Sequence, residues 1–144
     1  MSCFELTVSS EMENLTTISD FVTSVASNLG LSEDDTFALQ MAVDEACANV
    51  IEHAYGGRRD GSIHITCQAL QDRVVVTVQD HGKPFDPHSV PRPKANAPLE
   101  ERLAGGLGIL LIEKLMDEVR FEFDAEKGNV LTMVKKRQVE KQPL

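Results

Sequence analysis

Two runs, Ser62 to Ala69 and Arg73 to Gln79, alternate apolar and polar residues, are rich in β-branched side chains, and are joined only by Leu70-Gln71-Asp72. Alternation at period two puts one set of side chains on one face of a strand, so the pair predicts an antiparallel hairpin. Val74-Val75-Val76-Thr77-Val78 is apolar enough for a central strand. The rest of the chain has to supply what covers that hairpin.

Upstream, Phe4-Glu5-Leu6-Thr7-Val8 alternates like a short strand and ends at Ser9-Ser10, either of which suits the cap of a following helix. From Glu11 to Asn28 the residues Leu15, Ile18, Val22, Val25 and Leu29 recur at three and four, the spacing of a helix that Gly30 stops. Ser32 with Asp35 three residues on resembles a capping arrangement and opens a second helix expected to end near Tyr55-Gly56-Gly57. Downstream, residues 83 to 104 hold all but one of the six prolines and no sustained period. A stretch of that kind inside a compact domain reads as a lid or a disordered segment. Gly105-Gly106-Leu107-Gly108 then opens a third apolar helix through Met116, Val119 to Phe123 reads as a strand, and Gly128-Asn129 precedes a last strand from Val130 to Val134, followed by a polar, frayed tail. The order βααββ, loop, αββ predicts an α/β (α+β) two-layer sandwich with helices on one face of a mixed, mostly antiparallel sheet, in a single domain over 1–144.

At 144 residues the chain is long enough to bury roughly 70% of its unfolded surface without disulfides or a structural metal. A net charge of -9 opposes nonspecific affinity for nucleic acid or anionic membrane, and the lack of Trp with a single Tyr argues against a platform for stacking bases of a strand. Any polyanionic ligand must be held locally. The three cysteines, Cys3, Cys47 and Cys67, form no CxxC and have no histidine at metal spacing, so a reduced, cytoplasmic protein without zinc is expected. The N-terminus has no signal-like pattern, and the longest apolar run, Ile109 to Ile112, is too short to span a bilayer.

Chemistry concentrates in three places. On the second helix, Glu45, Asn49 and His53 fall within roughly 80° of one another beside the apolar flank, which aligns a carboxylate, an amide and an imidazole. Such a row suits a helix that lines a pocket, or simply a solvated face. The glycines of 105 to 108 stand at a helix start, where backbone N–H groups can approach a phosphate, although a hinge explains them equally. No GxxxxGK[ST] loop is present, and Gly106-Leu107-Gly108 fails the dinucleotide pattern. Asp80 ends a strand and is followed by Gly82: a carboxylate to accept from an amino group and room for a flat ring, or an ordinary turn.

In combination, Glu45-Ala46-Cys47-Ala48-Asn49, His53-Ala54-Tyr55, Asp80-His81-Gly82, Pro84-Phe85-Asp86-Pro87, Gly105-Gly106-Leu107-Gly108, Leu115-Met116-Asp117-Glu118-Val119 and the Asn129 to Lys135 segment resemble the anti-sigma-factor serine/threonine kinases of the RsbW type. These belong to the GHKL ATPases, with the Bergerat or histidine-kinase-like fold. The resemblance implies an ATP- and Mg²⁺-dependent kinase that phosphorylates a small STAS-type antagonist protein, sequesters a sigma factor in another state of the switch, and works as a homodimer. It implies Glu45 as general base and Asn49 as Mg²⁺ ligand. It further implies Asp80 as acceptor from the adenine amino group, Gly82 as room for the ring, Gly105, Gly106, Leu107 and Gly108 at the phosphates, Thr132 as support for the Asp80 network, and an ATP lid at about 83–104. His53, and Lys94 and Arg102 in the lid, are weaker phosphate candidates, and Pro84 stands where the superfamily often has a second glycine. Two other readings are a nucleotide-gated binding module that transfers no phosphate and a detached catalytic domain of a sensor histidine kinase. Topoisomerase-like ATPases share such a pocket but carry further domains.

Overall fold

The computed structural model describes residues 2–84 and 107–137. The hairpin is its centre: β2 (Ser62–Ala69) and β3 (Arg73–Asp80) pair antiparallel, with Cys67 opposite Val76 and Ile65 opposite Val78. Both strands alternate, so Ile63, Ile65, Cys67, Val74, Val76 and Val78 are buried on one face. β1 (Ser2–Ser9) adds to β2 on one side; β5 (Gly128–Lys136) adds to β3 on the other and carries β4 (Glu118–Asp124) at the far edge. The order is β1-β2-β3-β5-β4 and every pairing is antiparallel, so the parallel component allowed for in the expected mixed sheet is not found among the described residues.

Three helices cover the apolar face. α1 (Asn14–Asn28) contacts β1, α2 (Glu33–Asn49) lies between the other two helices over β3 and β5, and α3 (Leu107–Leu115) contacts β4. Ile18 and Val22 of α1, Leu39, Val43 and Cys47 of α2, Ile112 of α3 and Met133 of β5 are fully buried together. At ~25 cal/mol per Å² of apolar surface, this shared core is the main favourable contribution to folding.

α2 starts as its sequence predicts: the Ser32 hydroxyl accepts from the Asp35 N–H at 3.1 Å, and Glu33, Asp34 and Asp35 place negative charge at the positive end of the helix. α1 does not. Its N-cap is Glu13 with no side-chain cap, because Ser9 and Ser10 are used elsewhere. Asn14 Nδ2 donates to the Ser9 carbonyl at 3.0 Å, while the buried Ser10 hydroxyl donates to Arg58 O at 2.5 Å and accepts from Gly61 N at 3.0 Å. Those bonds tie the start of α1 to the turn before β2. Gly30 ends α1 with φ +71°, its N–H donating to Ser27 O and that of Leu31 to Ala26 O, the paired bonds of a left-handed helix stop.

Two boundaries differ from expectation. α2 passes into a π-helical turn, Val50–Ala54, in which Tyr55 N donates to Val50 O at 2.9 Å. The last strand begins at Gly128, not Val130, and extends to Lys136, so Lys135 and Lys136 are strand residues instead of tail. Among the described residues no helix is long and apolar enough to cross a membrane.

Candidate functional site

Asp80 is the last residue of β3 and is 2% exposed, one of two buried polar side chains among the described residues. A buried carboxylate has to be hydrogen-bonded to be tolerated. Gly82 N donates to its Oδ1 at 2.9 Å and Asn129 Nδ2 donates to the same oxygen at 2.8 Å. Burial pushes the Asp80 carboxyl above its ordinary range, while the bonds from Asn129 and Gly82 and the nearby His81 pull it back. Both donors meet Oδ1, so among the described residues no side-chain or backbone donor is seen on Oδ2.

What faces Asp80 is a cavity of about 300 Å³, at the small end of ligand pockets. Asn49 and Val50 from the end of α2, Asp80, Asn129, Ile109 and Ile112 of α3, and Phe121 and Phe123 of β4 are among its lining residues. Most of this lining is apolar, with two carboxylates, buried Asp80 and exposed Glu122, and two amides set into it, a composition that suits a flat ring bearing an amino group. The strand end is pinned against α2 from below. Tyr55 Oη accepts from His81 N at 2.9 Å and donates to Ser62 O at 2.6 Å, and Lys83 N donates to Ala54 O at 2.7 Å.

The structure brings Asn49 and Asp80 to one cavity, and Gly82 into the same hydrogen-bond network. A Cβ at Gly82 would stand 2.5 Å from the Ala54 carbonyl oxygen, so the glycine permits close packing of the strand end on the π turn. Glu45 is half-buried one turn before Asn49 but does not line the cavity. Burial, with the Glu52 charge second, raises its carboxyl above the ordinary range, which makes it a stronger base.

His53 is exposed and outside the cavity lining. The row Glu45, Asn49, His53 requires 3.6 residues per turn, and the π winding after Asn49 breaks it. Thr132 is also displaced from its expected role. It pairs with Thr77 on the face away from the helices, whereas the residue opposite Asp80 is Asn129, which makes the bond expected of Thr132. The sequence reading placed Asn129 in the turn, and only the β3–β5 register, with Val78 opposite Leu131, reveals it. Leu107 and Gly108 begin α3. Gly105, Gly106, Lys94, Arg102 and almost all of the expected lid lie outside the described residues.

The donor set fits the groups that the resemblance implies. Mg²⁺ held together with phosphates needs one or two protein oxygens, and the Asn49 amide supplies one. No group of three or more His, Cys, Asp or Glu able to cage a metal occurs among the described residues.

A model of the histidine kinase-like ATPase domain matches residues 8–135. The chain belongs to that family. Within it, the serine-protein kinase RsbW of Halalkalibacterium halodurans is 36% identical over 137 residues, 91% of this chain and 81% of the relative. RsbW of Bacillus subtilis is 35% identical over 122 residues, covering 82% and 76%, and that of Bacillus licheniformis 36% over 120, covering 79% and 72%. A crystal structure of the RsbU and RsbW domains of a Mycobacterium tuberculosis protein superposes with a TM-score of 0.69 at 17% identity, covering 97% of this chain and 34% of that one. The likeness of fold therefore extends over nearly all of this RsbW-type ATPase domain and about a third of the longer chain. By family it is a protein serine/threonine kinase.

Proposed function

We propose that this RsbW-type domain binds ATP with Mg²⁺ in the cavity between α2 and the β3–β5–β4 end of the sheet, and transfers the γ-phosphoryl group to a serine or threonine of a small STAS-type antagonist protein. In the other state of the switch it holds a sigma factor, as a homodimer. The observation that carries this reading is the meeting of Asn49 and Asp80, on different elements, at one cavity, with both described donors to the Asp80 carboxylate on a single oxygen.

In this reading Asp80 Oδ2 accepts from the amino group of the base, and Asn129 and Gly82 hold the carboxylate in place. The Asn49 amide oxygen would hold Mg²⁺, which when bound would neutralise charge on the transferring group. Glu45 takes the proton of the substrate hydroxyl, a role its raised carboxyl suits. Leu107 and Gly108, which begin α3, together with Gly105 and Gly106 just before them in sequence, offer backbone N–H groups to the phosphates. His53 and Thr132 have no part in it.

One observation favours a second reading. Glu45 does not line the cavity, as expected if nucleotide only shapes a surface for partners and no phosphate moves. Purified protein, antagonist, Mg²⁺ and labelled ATP decide between them. Phosphoantagonist from the parent and at least a hundredfold less from Glu45→Ala supports the kinase. No phosphoantagonist from either, with partner release equal for ATP and a nonhydrolysable analogue, supports the binding module.

A further inference from the structure

Three large apolar side chains among the described residues are exposed: Met12, Phe37 and Phe123. Of these, only Phe123 lines the cavity. α3 and β4 are joined by two residues and contact one another. On β4, Val119 and Phe121 are half-buried against the core, while Phe123 is 61% exposed.

Phe123 also has a fixed place relative to the candidate acceptor. Phe123 pairs with Asn129, and Asn129 with Asp80. Directly opposed residues share a face, so carboxylate, amide and phenyl form one row across three strands, roughly 10 Å from first Cα to last. The carboxylate end offers an oxygen with no donor among the described residues; the phenyl end offers an exposed aromatic ring. A planar ligand with an amino group at one end matches that row.

We propose that Phe123 is a base-contacting, specificity-determining residue of the site: its ring packs against the purine whose amino group Asp80 accepts. This rests on the nucleotide reading above. The length of the row selects bicyclic over single-ring bases, since cytosine also carries an amino group but extends less far from Asp80.

The chain contains no Trp, so Phe123→Trp introduces a single indole reporter, and Phe37→Trp, on an exposed position of α2 outside the cavity, is its control. MgATP is expected to change the Phe123→Trp emission and leave Phe37→Trp unchanged, while magnesium tripolyphosphate changes neither. Phe123→Ala is expected to bind ATP about five- to tenfold more weakly and to lose most of the preference for ATP over CTP. If calorimetry shows MgATP binding but the Phe123→Trp emission stays constant, or responds equally to tripolyphosphate, the contact with the base is refuted. An unchanged ATP-to-CTP ratio in Phe123→Ala refutes the specificity role. Absence of heat from the parent protein overturns the nucleotide reading itself, and this proposal with it.

Discussion

Asn129 and Asp80 are paired twice, once as opposed residues of the β3–β5 ladder and once through the 2.8 Å bond from Asn129 Nδ2 to Asp80 Oδ1. Asn129 Nδ2 also lies 3.2 Å from Gly82 O, so one amide group fixes both the carboxylate and the backbone that leaves the strand. Replacing it by alanine removes a hydrogen bond to a buried carboxylate and is expected to destabilise the fold by about 1–2 kcal/mol. Urea denaturation measures that loss. Nucleotide affinity, measured on the same variant, should fall about tenfold, because Asp80 is no longer held in position.

Asp80, Asp44 and Glu45 all have carboxyls raised above their ordinary range, each chiefly by burial. The folded protein therefore binds protons at a higher pH than the unfolded chain does. As pH falls through that window, just above the usual carboxylate range, stability should rise. Glu11 and Asp124, held low by the hydrogen bonds they accept, act in the opposite sense, and only below that range. Nucleotide affinity should fall where stability rises, since a protonated Asp80 is a poorer acceptor. Urea midpoints and binding constants measured between neutral pH and that window check the two opposed slopes; Asp80→Asn should flatten the affinity slope and reduce the stability slope, of which Asp44 and Glu45 keep their share.

Gly82→Ala places a Cβ 2.5 Å from the Ala54 carbonyl oxygen and 2.8 Å from its Cβ, neither of which is the end of a flexible side chain. The strand end must move away from the π turn. A loss of about 2–3 kcal/mol is expected, with weakened nucleotide binding, because the Gly82 N–H to Asp80 is displaced as well. Thermal denaturation and titration of the variant measure both.

Tyr55→Phe removes one hydroxyl that serves β2 and β3 together, accepting from Ser62 N at 3.2 Å and from His81 N at 2.9 Å. Two backbone donors lose their partner, at a cost of about 1–3 kcal/mol. Amide exchange at Ser62 and His81 is expected to accelerate far more than exchange within α1.

The sequence already carried the hairpin, the Ser32 cap, the Gly30 stop and the placing of all three helices on one face, because periodicity and capping are local signals. It also pointed to Asn49 and Asp80, which the fold brings to one cavity. The exchange of Thr132 for Asn129 was not legible, since it depends on which residue of β5 stands opposite Asp80, a long-range register that a one-residue slip would invert. The π turn that removes His53 from its row has no period of its own, and the role of Gly82 is visible only once Ala54 is beside it. Phe123 looks like any alternating strand residue until the register sets it beside Asn129 at the cavity with its ring exposed.

The nucleotide proposed above lies between Asn49 and Asp80. Isothermal titration of MgATP into the parent protein and into Asp80→Asn tests it most directly. Saturable one-site heat from the parent, with affinity at least tenfold weaker in a folded Asp80→Asn, is the predicted result. Parent and variant binding MgATP equally, or neither binding it, would contradict the account.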